Sequence, residues 1–329
     1  MTTPTRPRPG GDIPSSAEFT RQAEPFRTEL LALCYRMLGS VDDAEDAVQE
    51  TYLRAWRGYR RFEGRSSLRT WLYSIATRAC LRAAERAQRR PLPSGLAGPA
   101  ADSGVPVDRG AEVPWLQPFP TAPFTGADDP AAIVQDRATL RLALIAALQH
   151  LPPRQRAVLI LRDVLGWRAA EVAQLLDTSA AAVNSLLQRA RGTLDHARLD
   201  EHTVTAGPDT SEHRDLLDRY AIAFTTSDVD RLVDILTEDA VWEMPPFHTW
   251  FRGRDTIGRF LRPRLARPGD CVMIPTGANG QPAFGLYRTD EHGTHQPHAL
   301  HVLTCTGNRI ARVVAFMDPR AFASFGLTP

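Results

Sequence analysis

The sequence predicts a multidomain protein, two all-α domains followed by one α+β domain. Three observations carry this. Apolar residues recur at helical spacing between residues 21 and 90 and again between 131 and 200. From about residue 237 the period shortens to alternating, strand-like runs, after two helical segments have opened the block. Between these blocks, 91–130 and 201–210 are rich in Pro, Gly, Ala and Thr and read as linkers. A length of 329 residues accommodates two or three domains. Nowhere do eighteen apolar residues run together, and residues 1–20, rich in Pro, Thr and Arg, lack the apolar stretch of a signal peptide and are expected to be disordered. A cytoplasmic protein without membrane partners is expected. Its four cysteines, Cys34, Cys80, Cys271 and Cys305, show no metal-ligand spacing and read as reduced core thiols.

The first helix is expected over 25–38, with Phe26, Leu30, Leu33, Cys34 and Met37 on one face. Gly39 ends it, and Ser40 can cap the next. That next helix, AEDAVQETYLRAW, points Ala44, Val48, Thr51 and Ala55 inward and begins with acid, which suits the positive end of a helix dipole. Gly64 breaks the pattern. Ser66 or Ser67 then caps a helix carrying Trp71, Leu72, Ile75, Ala76 and Cys80 inward. Every cation in the chain outside histidine is Arg, and the net charge of +1 hides a concentration of them. Eleven Arg stand against two Glu between Arg54 and Arg90, with Tyr59, Phe62, Trp71 and Tyr73 among them. Guanidinium groups beside aromatics can hold phosphates and stack unpaired bases. A solvated basic face over a plain three-helix core explains the same charge pattern.

In the linker 91–130, one apolar island interrupts the Pro and Gly, VPWLQPFP at 113–120. Trp115 and Phe119 can cover a neighbouring domain. Helical spacing resumes with Ile133, Ala138, Leu142, Ile145 and Leu148, and Leu151-Pro-Pro separates this stripe from a helix beginning near Pro153. Gly166 breaks that one. Segments 168–176 and 180–194, joined at Asp177-Thr178-Ser179, form a helix-turn-helix pattern. Val183, Leu187, Ala190 and Leu194 turn inward, leaving Asn184, Ser185, Gln188, Arg189 and Arg191 outside. Amide side chains can bond adenine edges, and Arg can bond guanine or phosphate.

The last block gives helices over 211–226 and 229–236, a strand in TEDAVWEMPP, a helix from Arg254, and further strands to Phe316. That order argues a curved sheet wrapped around helices. Candidate pocket groups are Trp242, Glu243, Met244, His248, Trp250, Tyr287 and His301, and a small ligand of this domain is the partner they suggest. No spacing assigns a catalytic residue. His292, His295, His298 and His301 do not make a metal site, because Gly293 and Pro297 prevent one helix from aligning them. No metal or other cofactor is expected.

AEDAVQETYLRAW followed by FEGRSSLRTWLYSIAT resembles region 2 of the extracytoplasmic-function (ECF) sigma factors, and PPRQRAVLILRDVLGWRAAEVAQLL with AAAVNSLLQRARGTL resembles their region 4. The final block resembles the SnoaL-like polyketide-cyclase superfamily, an α+β cone. The resemblance implies two all-α sigma domains, a region 2 bundle and a region 4 helix-turn-helix, followed by that cone. It implies core RNA polymerase and promoter DNA as partners. Asp46, Gln49, Glu50 and Arg54 would contact the β′ clamp helices. Phe62, Ser66, Ser67, Arg69, Thr70, Trp71 and Arg78 would read the −10 element. Asn184, Ser185, Gln188, Arg189 and Arg191 would read −35, with region 4 touching the β flap. Arg78 and Arg82 stand where the family often has Asn and Asp, and Asn184 and Leu186 where many members are basic. Promoter preference should differ accordingly. The third domain is expected to regulate in cis without being an enzyme. Two other readings remain, a small-molecule cyclase or isomerase, or a ligand-sensing repressor, fused to a DNA-binding module.

Overall fold

The computed structural model describes residues 16–62, 64, 66–104, 106–121, 140–197, 211–265 and 267–327. Ile133, Ala138 and the 201–210 linker lie outside them. The first bundle comprises α1 (Ser16–Ala23), α2 (Arg27–Leu38), α3 (Val41–Gly58) and α4 (Leu68–Arg86). Helix α1 corrects the expectation of disorder for residues 16–20. Its Phe19, 4% exposed, packs edge-on against Tyr52 and Tyr59, which supplies burial that a disordered tail would lack. Gly39 closes α2 at φ +70°, and the Ser40 hydroxyl accepts from Asp43 N at 3.1 Å to start α3. Of the two serines proposed to cap α4, Ser67 does so, accepting from Thr70 N at 3.0 Å.

The second bundle contains α5 (Leu142–Leu148), α6 (Pro153–Leu159), α7 (Ala169–Leu176) and α8 (Ala180–Ala197). Helix α6 continues as a π turn, Ile160–Val164, before Gly166 breaks the chain at φ +68°. The third domain has α9 (Ser211–Thr225), α10 (Val229–Asp234), α11 (Arg254–Leu261), α12 (Ala321–Ser324) and a six-stranded sheet. Its strands are β1 (Leu236–Glu243), β2 (Trp250–Arg252), β3 (Cys271–Ala278), β4 (Gln281–Thr289), β5 (His295–Thr306) and β6 (Arg309–Phe316), ordered β2-β1-β6-β5-β4-β3. Only β1 and β6 pair in parallel; the other neighbours are antiparallel.

Both faces of this sheet are apolar, and they face different partners. Trp242, Phe284, Leu286, Ala299, Leu303, Val313 and Ala315 belong to a buried cluster with the domain's own helices. The alternate positions, Ala283, Tyr287, Leu300, Val302, Val314 and Phe316, belong to a cluster shared with the two helical bundles. A period of two places successive side chains on opposite faces, so a strand buried on both reads as a nearly continuous apolar run. HVL at 301–303 and VVAF at 313–316 are such runs.

Residues 91–121 do not hang free between the bundles. Leu116 and Phe119 are each 1% exposed, and Phe119 lies 4.5 Å from the Tyr35 ring of α2. Burial of side chains this size contributes about 2–3 kcal/mol each, enough to fix a segment that composition alone reads as a linker.

Candidate nucleic-acid interface

The acidic helix α3 presents Asp46 and Gln49 to solvent, and Glu50 is half-buried and ion-paired with Arg54 one turn on. The same face carries Leu53 and Trp56, each 50% exposed, which the sequence reading did not single out. Helical spacing from Asp46 through Gln49 to Leu53 and Trp56 was the available signal. An exposed apolar pair rimmed by charge is the composition of a protein contact surface.

Beyond α3 the chain turns through a 3-10 segment, Tyr59–Arg61, into the approach to α4. Phe62 stacks on Trp71 at 4.8 Å, and Trp71 in turn rests on Gly58, where a Cβ would lie 3.2 Å from its ring. Ser66 is exposed. Ser67 and Thr70 are tied together, their hydroxyls 2.9 Å apart, so part of their bonding capacity goes to capping. Arg69 makes a bidentate pair with Glu29 of α2 and lies 4.9 Å over Tyr73; the Glu29 bond raises its pKa. Arg78 donates to the Leu175 carbonyl of α7 at 3.3 Å. Nearby Arg82 has its pKa lowered, first by burial and then by the repulsion of Arg54, with Arg78 and Arg86 adding to it. Such like-charge crowding marks a strongly positive surface.

In the second bundle, Asp177 turns at φ +52° between α7 and α8, and the Ser179 hydroxyl accepts from Ala182 N at 3.1 Å. Val183, Leu187, Ala190 and Leu194 of α8 are buried, which leaves Asn184, Ser185, Gln188 and Arg189 exposed on one outward surface. Arg189 donates to the Ser185 hydroxyl at 2.8 Å. Arg191 is held by Asp163 through bonds of 2.9 and 2.7 Å, which raise its pKa, so it must exchange a carboxylate for any phosphate.

The seven residues proposed for a C-terminal pocket do not converge. Trp242, Met244 and His301 are buried in the cluster between sheet and helices or beside it. His301 Nδ1 lies 2.8 Å from the Tyr220 hydroxyl, and the rings of Phe224 and Trp242 meet it edge-on. Burial, and then His298, lowers its pKa to about 3, so it stays neutral. Tyr287 lies on the opposite face against Phe322. His248 and Trp250 are engaged by the 91–121 segment. Asp108 O accepts from His248 N at 2.8 Å, and Ala97 O accepts from the Trp250 indole at 2.8 Å. Glu243, fully buried, accepts from Ser94 N at 2.7 Å.

That segment also joins the domains. Gln117 Oε1 accepts from Val41 N at 2.7 Å and from the Ser40 hydroxyl at 3.0 Å, at the N-terminus of α3. Asn279, in the β3–β4 turn at φ +55°, bonds three parts of the chain at once. Its amide donates to the Tyr35 hydroxyl at 2.8 Å and to Leu140 O at 2.9 Å, while its carbonyl accepts from Phe119 N at 2.9 Å. Arg156 of α6, buried, donates to Met37 O of α2 and to the side chain of Gln149. Burial lowers its pKa to about 10.

Three family models match the chain. Sigma-70 region 2 covers residues 23–90, sigma-70 region 4 covers 141–194, and a SnoaL-like domain covers 217–314. The ECF RNA polymerase sigma factor SigG of Mycobacterium tuberculosis is 51% identical over 313 residues, 94% of this chain and 84% of that protein. The chain belongs to the ECF sigma factors. Another relative, the ECF sigma factor SigJ of the same organism, is 30% identical over 90% of this chain and 89% of its own length. The crystal structure of M. tuberculosis SigJ superposes with a TM-score of 0.61 at 24% identity, covering 94% of this chain and all of that one, so the two share a fold. As an ECF sigma factor, the protein carries the two helical bundles of that family with a SnoaL-like domain behind them. Among the described residues no helix is long and apolar enough to cross a membrane.

Proposed function

We propose that this sigma factor directs core RNA polymerase to promoters from an open form, and that its C-terminal domain holds it in the closed form seen here. Family membership supports polymerase and promoter DNA as partners. The exposed face of α3, with Asp46, Gln49, Leu53 and Trp56, suits the β′ clamp helices. The loop before α4, with Phe62 and Trp71 stacked and Arg78 near Arg82, suits the −10 element and its unpaired bases. The outer surface of α8 suits the −35 element, and the rest of its bundle the β flap.

The observation that carries the closed-form reading is the packing of the second bundle on the first. Helix α4 packs against α6, Tyr73 lies 6.2 Å from Trp167, and Arg78 is bonded to α7. The −10 and −35 elements are separated by about 25 base pairs, or about 85 Å of B-DNA at 3.4 Å per pair. Bundles in contact cannot span that distance, so promoter binding requires them to part. The C-terminal domain opposes parting, because its sheet shares a buried cluster with both bundles and Asn279 bonds to Tyr35 of the first and to Leu140 just ahead of the second. Its own interior favours this docking role over catalysis: His301, one of the candidate pocket groups, is enclosed by Tyr220, Phe224 and Trp242.

Energy transfer between one dye on α3 and one on α8 tests the reading. High transfer in the free protein should fall when core polymerase and promoter DNA are added. Low transfer in the free protein would contradict the closed form.

A further inference from the structure

A cavity of about 590 Å³ lies where three parts of the chain meet, and neither the sigma regions nor the SnoaL-like match assigns it a role. Its walls are Val41 and Asp42 at the start of α3, the connecting segment from Arg90 to Pro118, and the C-terminal domain from Pro245 to Phe325. Trp115, Phe316 and Phe325 give it aromatic and apolar surface, and Arg90, Arg109 and Arg320 give it cations. A volume of this order with apolar walls and a few polar groups is typical of a small-molecule site.

The charge balance selects the ligand's sign. Both carboxylates in the wall are engaged. Asp42 accepts from the Gln117 amide at 2.8 Å, and Asp318 makes a bidentate pair with Arg320. Arg90 is paired with Asp43 at 2.5 Å. Arg109 differs: its guanidinium lies 5.3 Å over the Phe247 ring and has no carboxylate partner among the described residues. The wall holds three guanidinium groups against two carboxylates, Asp42 keeping its charge beside a neutral amide, and Arg109, fixed over a ring with no carboxylate partner among the described residues, is pre-positioned for a carboxylate or sulfonate.

We propose that this cavity binds a small organic anion with an aromatic or aliphatic body, its acidic group on Arg109 and its body against Trp115, Phe316 and Phe325. A ligand there touches all three walls, so it stabilises their association by mass action. On the cis-regulation reading above, occupancy favours the closed form.

The binding itself is tested without reference to transcription. The full chain is titrated with the anionic aromatic fluorophore 8-anilinonaphthalene-1-sulfonate, alongside Arg109→Ala, which removes the cation, and Ser324→Trp, which adds bulk at an exposed position of the wall. Circular dichroism and melting temperature serve to show that both variants fold. The expected result is one saturable site in the wild type, weakened about tenfold or more in each folded variant. Absence of saturable binding, or binding that survives both substitutions, would overturn the proposal.

Discussion

At the scale of single residues, the structure turns several side chains with an apparent chemical role into structural ones. His301 is the clearest. Its sequence setting, a histidine in an apolar strand of a cone-like domain, made it a candidate pocket group. The structure buries it against Tyr220, with its pKa at about 3. The consequence for stability has a definite sign. Between about pH 3 and 6.5 the unfolded chain takes up a proton that the folded ring refuses, so stability is lost as pH falls through that window. His298, whose pKa burial and Arg288 also lower, adds to the slope in the same direction. Between pH 6.5 and 5 the His301 contribution is on the order of 2 kcal/mol. His301→Gln keeps an acceptor for Tyr220 and removes the titration, so its melting temperature should fall less over that range. Parallel pH profiles for the two proteins would show that His301 is not the titrating group. Leu53 and Trp56 make the converse point. Both lie inside the motif AEDAVQETYLRAW, yet as apolar residues they carry no charge that sets them apart from the inward-facing positions.

Among elements, the helices were largely legible because each carries its own start and stop: Gly39 with Ser40, Ser67, Pro153, and Asp177 with Ser179. Strands were legible as alternation, but not which partner covers each face, since two apolar faces look alike in one dimension. The connecting segment was legible only as an apolar island. Its docking depends on Gly39, where a Cβ would lie 2.8 Å from Leu116, and on Asn279, both distant in sequence. Helix α8 offers an internal comparison. Gln188 and Arg189 are adjacent and exposed, but a neutral amide reads a base edge while a guanidinium neutralises phosphate. Gln188→Ala should relax preference at one promoter position, costing about 1–3 kcal/mol against the preferred base. Arg189→Ala should weaken binding to all sequences and flatten its salt dependence. A promoter-library binding assay at two salt concentrations separates the two, and identical effects would remove the assignment.

For the whole molecule, two sigma bundles and a cone share one buried cluster, and the cone reaches both bundles through one turn. Domain identity could be read from sequence because each motif is local. The closed arrangement could not, because it rests on pairs such as Asn279 with Tyr35, whose separation in the chain leaves no periodic trace. The position of Asn279 also explains its residue type, since φ +55° is a conformation that Asn tolerates better than most. Replacing it with Gly keeps that backbone conformation and removes all three side-chain bonds, loosening the closed form without touching α3, α4 or α8. The most direct measurement is run-off transcription by purified core polymerase on a promoter pool, comparing the full chain with Asn279→Gly. Promoter-specific transcripts from both, and more from Asn279→Gly, are the predicted result. Absence of promoter-specific transcripts from either protein would contradict initiation by this chain, and equal yields would contradict the closed form as a brake.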